Sequence, residues 1–144
     1  VATHHGPFTV YVCGITPYDT THLGHLFTCA TTDILIRYLE AHDVPVIYLQ
    51  NLTDIDDAIL QAAQERQVHW QELGKRWTVD FIQDMQSLNI RPPDHYPRVT
   101  EVIPDIVATI TRLLDAGMAY VVSGSVYFRV QVWPAYGKLS HLSP

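Results

Sequence analysis

Cysteine, lysine and unbroken apolar stretches are all scarce in this 144-residue sequence. Its two cysteines, Cys13 and Cys29, belong to no Cys-x-x-Cys pair, which excludes a disulfide scaffold and fits a compartment that keeps thiols reduced, so a cytoplasmic location is expected. Val1–Val10 has no charged n-region followed by an apolar h-region, and no uninterrupted apolar span is long enough to cross a bilayer. A membrane partner is therefore not expected. Lysine occurs only at Lys75 and Lys138, and the net charge is −6. A broad basic surface is excluded, so this segment alone is a poor match for nucleic acid, whose phosphates demand clustered cations. Repeats and low-complexity linkers are absent too. What remains, 47% apolar residues in a chain of ordinary domain length, suits one domain with a sizeable core, and a monomer is expected.

The informative stretch is residues 8 to 28. A β-rich run from Phe8 to Cys13 stops at Gly14, a Pro17-containing loop follows, and a helix is predicted from about Thr21. A strand-loop-helix unit is where an α/β sheet holds its ligand, because orphan N–H groups and the positive dipole end at the helix start favour a phosphate. His22 and His25, three apart, share a face of the first turn. Two imidazoles there can donate hydrogen bonds to a phosphoryl group as charge builds on it, and Gly24 leaves room for a flat base or ribose. A bare His-x-x-His is by itself more often two surface side chains and an incidental glycine.

Taken in order, Val1–Pro7 carries no periodicity and reads as a frayed lead-in. The first strand is apolar on both faces, Tyr11 included, as a buried central parallel strand must be. From Thr21 to Ala41 the residues Leu23, Leu26, Phe27, Ile34, Leu35, Tyr38 and Leu39 predict an inward apolar stripe, with Asp33, Arg37 and Glu40 toward solvent. Val46–Leu49 is the second buried strand. A right-handed β-α-β crossover brings the loops after both strands to the same sheet edge, so Cys13-Gly14 and Asn51-Leu52-Thr53 converge. Helices are predicted over 55–66, over Val68–Leu88 with a core stripe of Trp70, Leu73, Trp77, Phe81, Met85 and Leu88, and over Thr100–Ala116 with Gly117 closing it. Met118–Val122 and Ser125–Val130 around Ser123-Gly124 predict a β-hairpin.

The segment Cys13-Gly14-Ile15-Thr16-Pro17-Tyr18-Asp19 leading into His22-Leu23-Gly24-His25 resembles the first signature, the HIGH motif with its preceding Cys-Gly, of the cysteine-activating class I aminoacyl-tRNA synthetases. Asn51-Leu52-Thr53-Asp54-Ile55-Asp56-Asp57 matches a second family segment after the second strand. The resemblance runs from about Phe8 to Tyr136-Gly137. Two relatives share these motifs, cysteinyl-tRNA synthetase and the mycothiol-pathway ligase that joins cysteine to a glucosaminyl-inositol. Pro17, Trp70-Gln71-Glu72-Leu73-Gly74 and the segments Asp84-Met85 to Pro92-Pro93 lean slightly toward the ligase.

The resemblance implies an α/β, Rossmann-like (HUP-type) parallel sheet: the first half of a class I nucleotide-binding domain over 8–117, with a connective insertion starting at 118–144. It implies ATP-dependent activation of L-cysteine to cysteinyl-adenylate, then transfer to tRNA(Cys) or an amino sugar, with ATP and Mg2+ as well as zinc. His22 and His25 would be catalytic. Thr16, His22, Gly24, His25 and Thr28 would contact ATP or the adenylate, and Cys13, Gly14, Asn51, Leu52 and Thr53 the cysteine. Cys13 would be a ligand of a zinc ion that reads the substrate thiol, a chemistry that separates sulfur from the hydroxyl of serine.

Plainer readings stand beside these. A lone Cys at a strand end is often a small buried hydrophobe. Thr53 and Asp54 suit helix N-caps and Asp56-Asp57 a first turn, with a magnesium role for the aspartates left open. The family's KMSKS loop and the other zinc ligands do not occur here, and one Cys cannot hold zinc tightly. The chain is therefore expected to be a fragment of a larger enzyme or an incomplete relative; as a third possibility, a non-catalytic module would bind nucleotide or cysteine without turnover.

Overall fold

In a computed structural model, residues 6–141 are described. The lead-in expected over 1–7 therefore falls mostly outside the described residues. The chain divides into two compact units, residues 1–101 and 102–144.

The first unit opens with β1 (Phe8–Ile15), crosses over through α1 (Leu23–Glu40) and pairs β1 in parallel with β2 (Val46–Leu52). α2 (Asp57–Arg66) and α3 (Trp70–Ser87) follow, and a 3-10 turn, Val99–Glu101, ends the unit. β2's far edge is not bare. The extended segment 94–98 runs parallel to it, with bridges Leu49–His95 and Leu52–Arg98 and with Gln50 N–H donating to the His95 carbonyl at 3.1 Å. That third, short partner has no apolar alternation and was not anticipated; Pro92, Pro93 and Pro97 hide it from a strand reading.

α3 carries the packing. Phe81 and Met85 close a core with Ile15, Cys29 and Leu52, and Leu73 closes a second with Ile59, Ala62 and Ala63 of α2. Its stripe is as expected except that Leu88 is exposed.

Two expectations about burial fail. β1 is not covered on both faces: Tyr11 is 65% exposed and Phe8 is exposed too, and β1's outer edge also has no strand partner among the described residues. α1 is turned around its axis. Leu23, Phe27, Ile34 and Tyr38 point outward, whereas Cys29, Thr32, Asp33 and Ile36 are buried. The polar pair is buried at little cost because both are satisfied. The Thr32 hydroxyl donates to the Thr28 carbonyl at 2.9 Å, and Asp33 accepts from Arg37 Nε at 2.8 Å and from the Arg91 N–H at 2.7 Å.

In the second unit, α4 (Ile103–Asp115) has Pro104 in its first turn, where the missing N–H costs nothing. The hairpin β3 (Ala119–Val122) and β4 (Ser125–Phe128) turns through Ser123 and Gly124, both at positive φ, 51° and 85°, the pattern of a two-residue hairpin turn matched to strand twist.

Candidate active site

The site is built where β1 and β2 end. Their register runs from Phe8 opposite Val46 to Val12 opposite Gln50, then slips so that Ile15 faces Leu52. Cys13 and Gly14 thus stand opposite the single residue Asn51, a β-bulge. Asn51 fastens it: its Oδ1 accepts from the Gly14 N–H and from the Tyr11 hydroxyl, each at 2.9 Å, while its Nδ2 donates to Thr53 Oγ1 at 3.1 Å. A Cβ on Gly14 would lie 1.5 Å from the Asn51 carbonyl oxygen, so this approach admits only glycine.

Beyond the bulge the chain is tied to α2. Thr16 Oγ1 donates to Asp56 Oδ2 at 3.1 Å, and the other carboxylate oxygen of Asp56 caps α2 by accepting from the Ile59 N–H at 2.9 Å. The cap is therefore Asp56 and not Thr53 or Asp54. Asp54 is buried instead and accepts from the Thr100 N–H and hydroxyl at 3.0 and 2.6 Å.

The loop then delivers His22 as the N-cap of α1, one position before the first turn in which it was expected. Its Nδ1 accepts from the Gly24 N–H at 3.1 Å. That bond occupies the Nδ1 lone pair, so the neutral ring carries its proton on Nε2, outward and able to donate. His25 stacks on it, with ring centroids 3.8 Å apart and planes at 19°, and meets the edge of Phe81. His25 Nδ1 is buried without a partner among the described residues. Burial, and secondarily the neighbouring His22, hold the His25 pKa below its usual value.

Gly14, Thr16, His22 and His25 line one cleft of about 400 Å³ together with Ile15, Tyr18, Asp19 and Thr20. The other expected residues lie outside its wall. Cys13 is exposed on the bulge. Asn51 reaches the cleft through its bond to Gly14. Leu52 is 2% exposed and packs in the core, so its side chain is not free for a ligand. Thr53 is held by Asn51, and the Thr28 hydroxyl turns back to the Gly24 carbonyl at 3.2 Å. Among the described residues no group of three His, Cys, Asp or Glu side chains is placed to hold a metal. Tyr18, Asp19 and Thr20 were missed as cleft residues. The available signal was Asp19-Thr20 just ahead of the helix, where an Asp side chain accepts from a following N–H, here at 2.8 Å.

A family model described as the tRNA synthetases class I (C) catalytic domain matches residues 1–143. The chain belongs to this class I synthetase family. It is 48% identical over 132 residues to cysteine–tRNA ligase of Thermosynechococcus vestitus, covering 92% of this chain and 27% of that protein. It is 46% identical over 134 residues to L-cysteine:1D-myo-inositol 2-amino-2-deoxy-alpha-D-glucopyranoside ligase of Frankia alni, covering 93% and 32%. The chain thus spans roughly a third or less of the length of these relatives. The fold matches that of Mycobacterium tuberculosis methionyl-tRNA synthetase in complex with methionyl-adenylate, with a TM-score of 0.69 at 20% identity over 86% of this chain and 29% of that one. The Rossmann-like reading of the sheet and helices is borne out. No helix is long and apolar enough to cross a membrane among the described residues.

Proposed function

We propose that this chain supplies the first half of a synthetase site that activates L-cysteine with ATP, and that the longer protein passes the cysteinyl group to tRNA(Cys). The observation that carries this is the cleft itself: a helix N-terminus with two stacked imidazoles, set against a bulge that the Asn51 side-chain amide fastens. In the reaction a carboxylate oxygen of cysteine bonds to the α-phosphorus, the bond to the bridging oxygen breaks, and pyrophosphate leaves. Such a transfer needs positioning and charge stabilisation more than covalent help. His22 Nε2–H is a donor of fixed tautomer for the developing charge, and His25 backs it. Gly14, Thr16 and Gly24 are assigned to the adenylate, with Thr28 on the next turn, and the Cys13–Asn51–Thr53 edge is assigned to the amino acid, Leu52 through its backbone alone.

Magnesium bound with ATP supplies counter-charge to the phosphates. Zinc is assigned to Cys13 as one ligand among several; Cys13 alone does not make a zinc site, and the steps above do not pass through one. The same reading places the start of the connective insertion at 118 and the working enzyme in the cytoplasm as a monomer.

The alternative acceptor, an amino sugar, rests on a specific observation: an amino-sugar ligase matches at 46% identity beside a tRNA ligase at 48%. The deciding experiment gives the full-length protein cysteine and ATP with either tRNA(Cys) or glucosaminyl-inositol. Cysteine-dependent pyrophosphate exchange with charging of tRNA supports the first reading, and ligation to the amino sugar replaces its second half. No exchange with cysteine rejects both.

A further inference from the structure

The cleft wall formed by Tyr18, Asp19 and Thr20 is irregular chain. Its own bonds are local: Tyr18 N–H to the Thr16 carbonyl at 3.0 Å and Thr20 N–H to Asp19 Oδ1 at 2.8 Å. These fold the loop on itself without fixing it to the body of the unit. The loop's entry is anchored, since Pro17 is fully buried and Thr16 bonds Asp56. Among the described residues its far side is held by one side chain, Arg66, in the last turn of α2. Arg66 Nη1 donates to the Tyr18 carbonyl at 3.1 Å, and Nη2 lies 3.3 Å from Asp19 Oδ2. The guanidinium is itself steadied, 5.8 Å from the ring centre of Trp77 in α3. One planar fork thus grips a backbone acceptor and a carboxylate of the same loop, which a lysine ammonium cannot match.

We infer that Arg66 is a positioning residue of the proposed nucleotide site, a latch that pins the Tyr18–Thr20 wall of the cleft to α2. Together Asp56 and Arg66 make α2 a strap, one end of the helix holding Thr16 and the other holding Tyr18 and Asp19. Asp19 fits this use. Its acceptance of the Thr20 N–H, with Arg66 as a further cause, holds its carboxyl below the usual range, so the ion pair is charged wherever the protein is folded near neutrality. A wall already ordered need not be ordered by the ligand, and the saving appears as affinity. The catalytic consequence rests on the function proposed above; the latch itself does not.

The test combines two measurements on the full-length protein and its Arg66→Ala, Arg66→Lys and Asp19→Asn variants. Hydrogen exchange is expected to quicken about three- to tenfold at the Tyr18 and Thr20 amides in Arg66→Ala while the α2 amides of residues 60–64 keep their rate, because only the local opening free energy falls. In pyrophosphate exchange the KM for ATP is expected to rise about fivefold with kcat changed less than about twofold, as for the loss of one charge-assisted contact that orders the free site. Arg66→Lys should fall between, since it keeps the charge and loses the fork, and Asp19→Asn should move exchange and KM in the same direction. Unchanged exchange at Tyr18 and Thr20 in Arg66→Ala overturns the latch, as does faster exchange throughout α2, which marks Arg66 as merely structural. Quickened loop exchange with an unchanged KM overturns the positioning role. A wild-type protein that activates no cysteine overturns that role together with the proposed function, and the exchange data then report on the latch separately.

Discussion

His22 and His25 are stacked, ring on ring at 3.8 Å, with one imidazole exposed and spent on capping its own helix and the other sunk beneath it. The pair is not symmetric. His22 offers a donor to the cleft, whereas His25 lies beneath it with its Nδ1 buried and its pKa lowered, chiefly by burial.

That asymmetry sets a pH dependence. The His25 pKa is lowered from 6.5, chiefly by burial and then by His22. Below about pH 6.5 the unfolded chain therefore binds more protons at this site than the folded one, and stability falls as pH drops toward and through the folded pKa. Urea midpoints compared at pH 7.5 and pH 5.5 should show a loss on acidification that is smaller in His25→Asn. An equal loss in both would remove His25 as a cause.

The two glycines of the site should behave differently. Gly14→Ala drives a methyl into the Asn51 backbone, with 1.5 Å between Cβ and the carbonyl oxygen, and is expected to cost at least about 3 kcal/mol because neither strand can give way. Gly24→Ala meets only the His22 ring, at 3.0 Å. The ring can move and alanine favours the helix, so stability should stay within about 1 kcal/mol. Activity should fall, because the moved ring leaves its cap. Chemical denaturation beside pyrophosphate exchange separates the two effects.

Asp33→Ala is expected to destabilise the first unit by about 2–3 kcal/mol, since it strips a buried charged acceptor from both Arg37 and the Arg91 N–H. Glu40→Ala, which removes an Arg91 partner at the surface, should cost under about 1 kcal/mol. Equal and small effects in urea denaturation would show that Asp33 is not part of the core.

Asp33 also marks how far the sequence could be read. The β-α-β order, α3's stripe and the hairpin were legible because periodicity and turn residues act locally. The meeting of Gly14 with Asn51 was legible because crossover handedness leaves little choice. Which side of α1 faces inward was not: Leu23, Phe27, Ile34 and Tyr38 form the more apolar stripe, yet the side that packs is fixed by Cys29 and Ile36 and by partners for Asp33 that lie far along the chain. The Thr16–Asp56 tether and the Tyr18–Arg66 contact were hidden for the same reason, as they join residues 40 and 48 apart. The bulge at Cys13-Gly14 left only a glycine as its trace.

The most direct measurement is cysteine-dependent pyrophosphate exchange by the full-length protein and its His22→Ala and His25→Ala variants. Loss of a preorganised donor to the reacting phosphoryl group predicts a fall of about 100- to 1000-fold for His22→Ala, with a large fall for His25→Ala as its support is withdrawn. Rates close to wild type in both variants, with folding intact, would contradict the account.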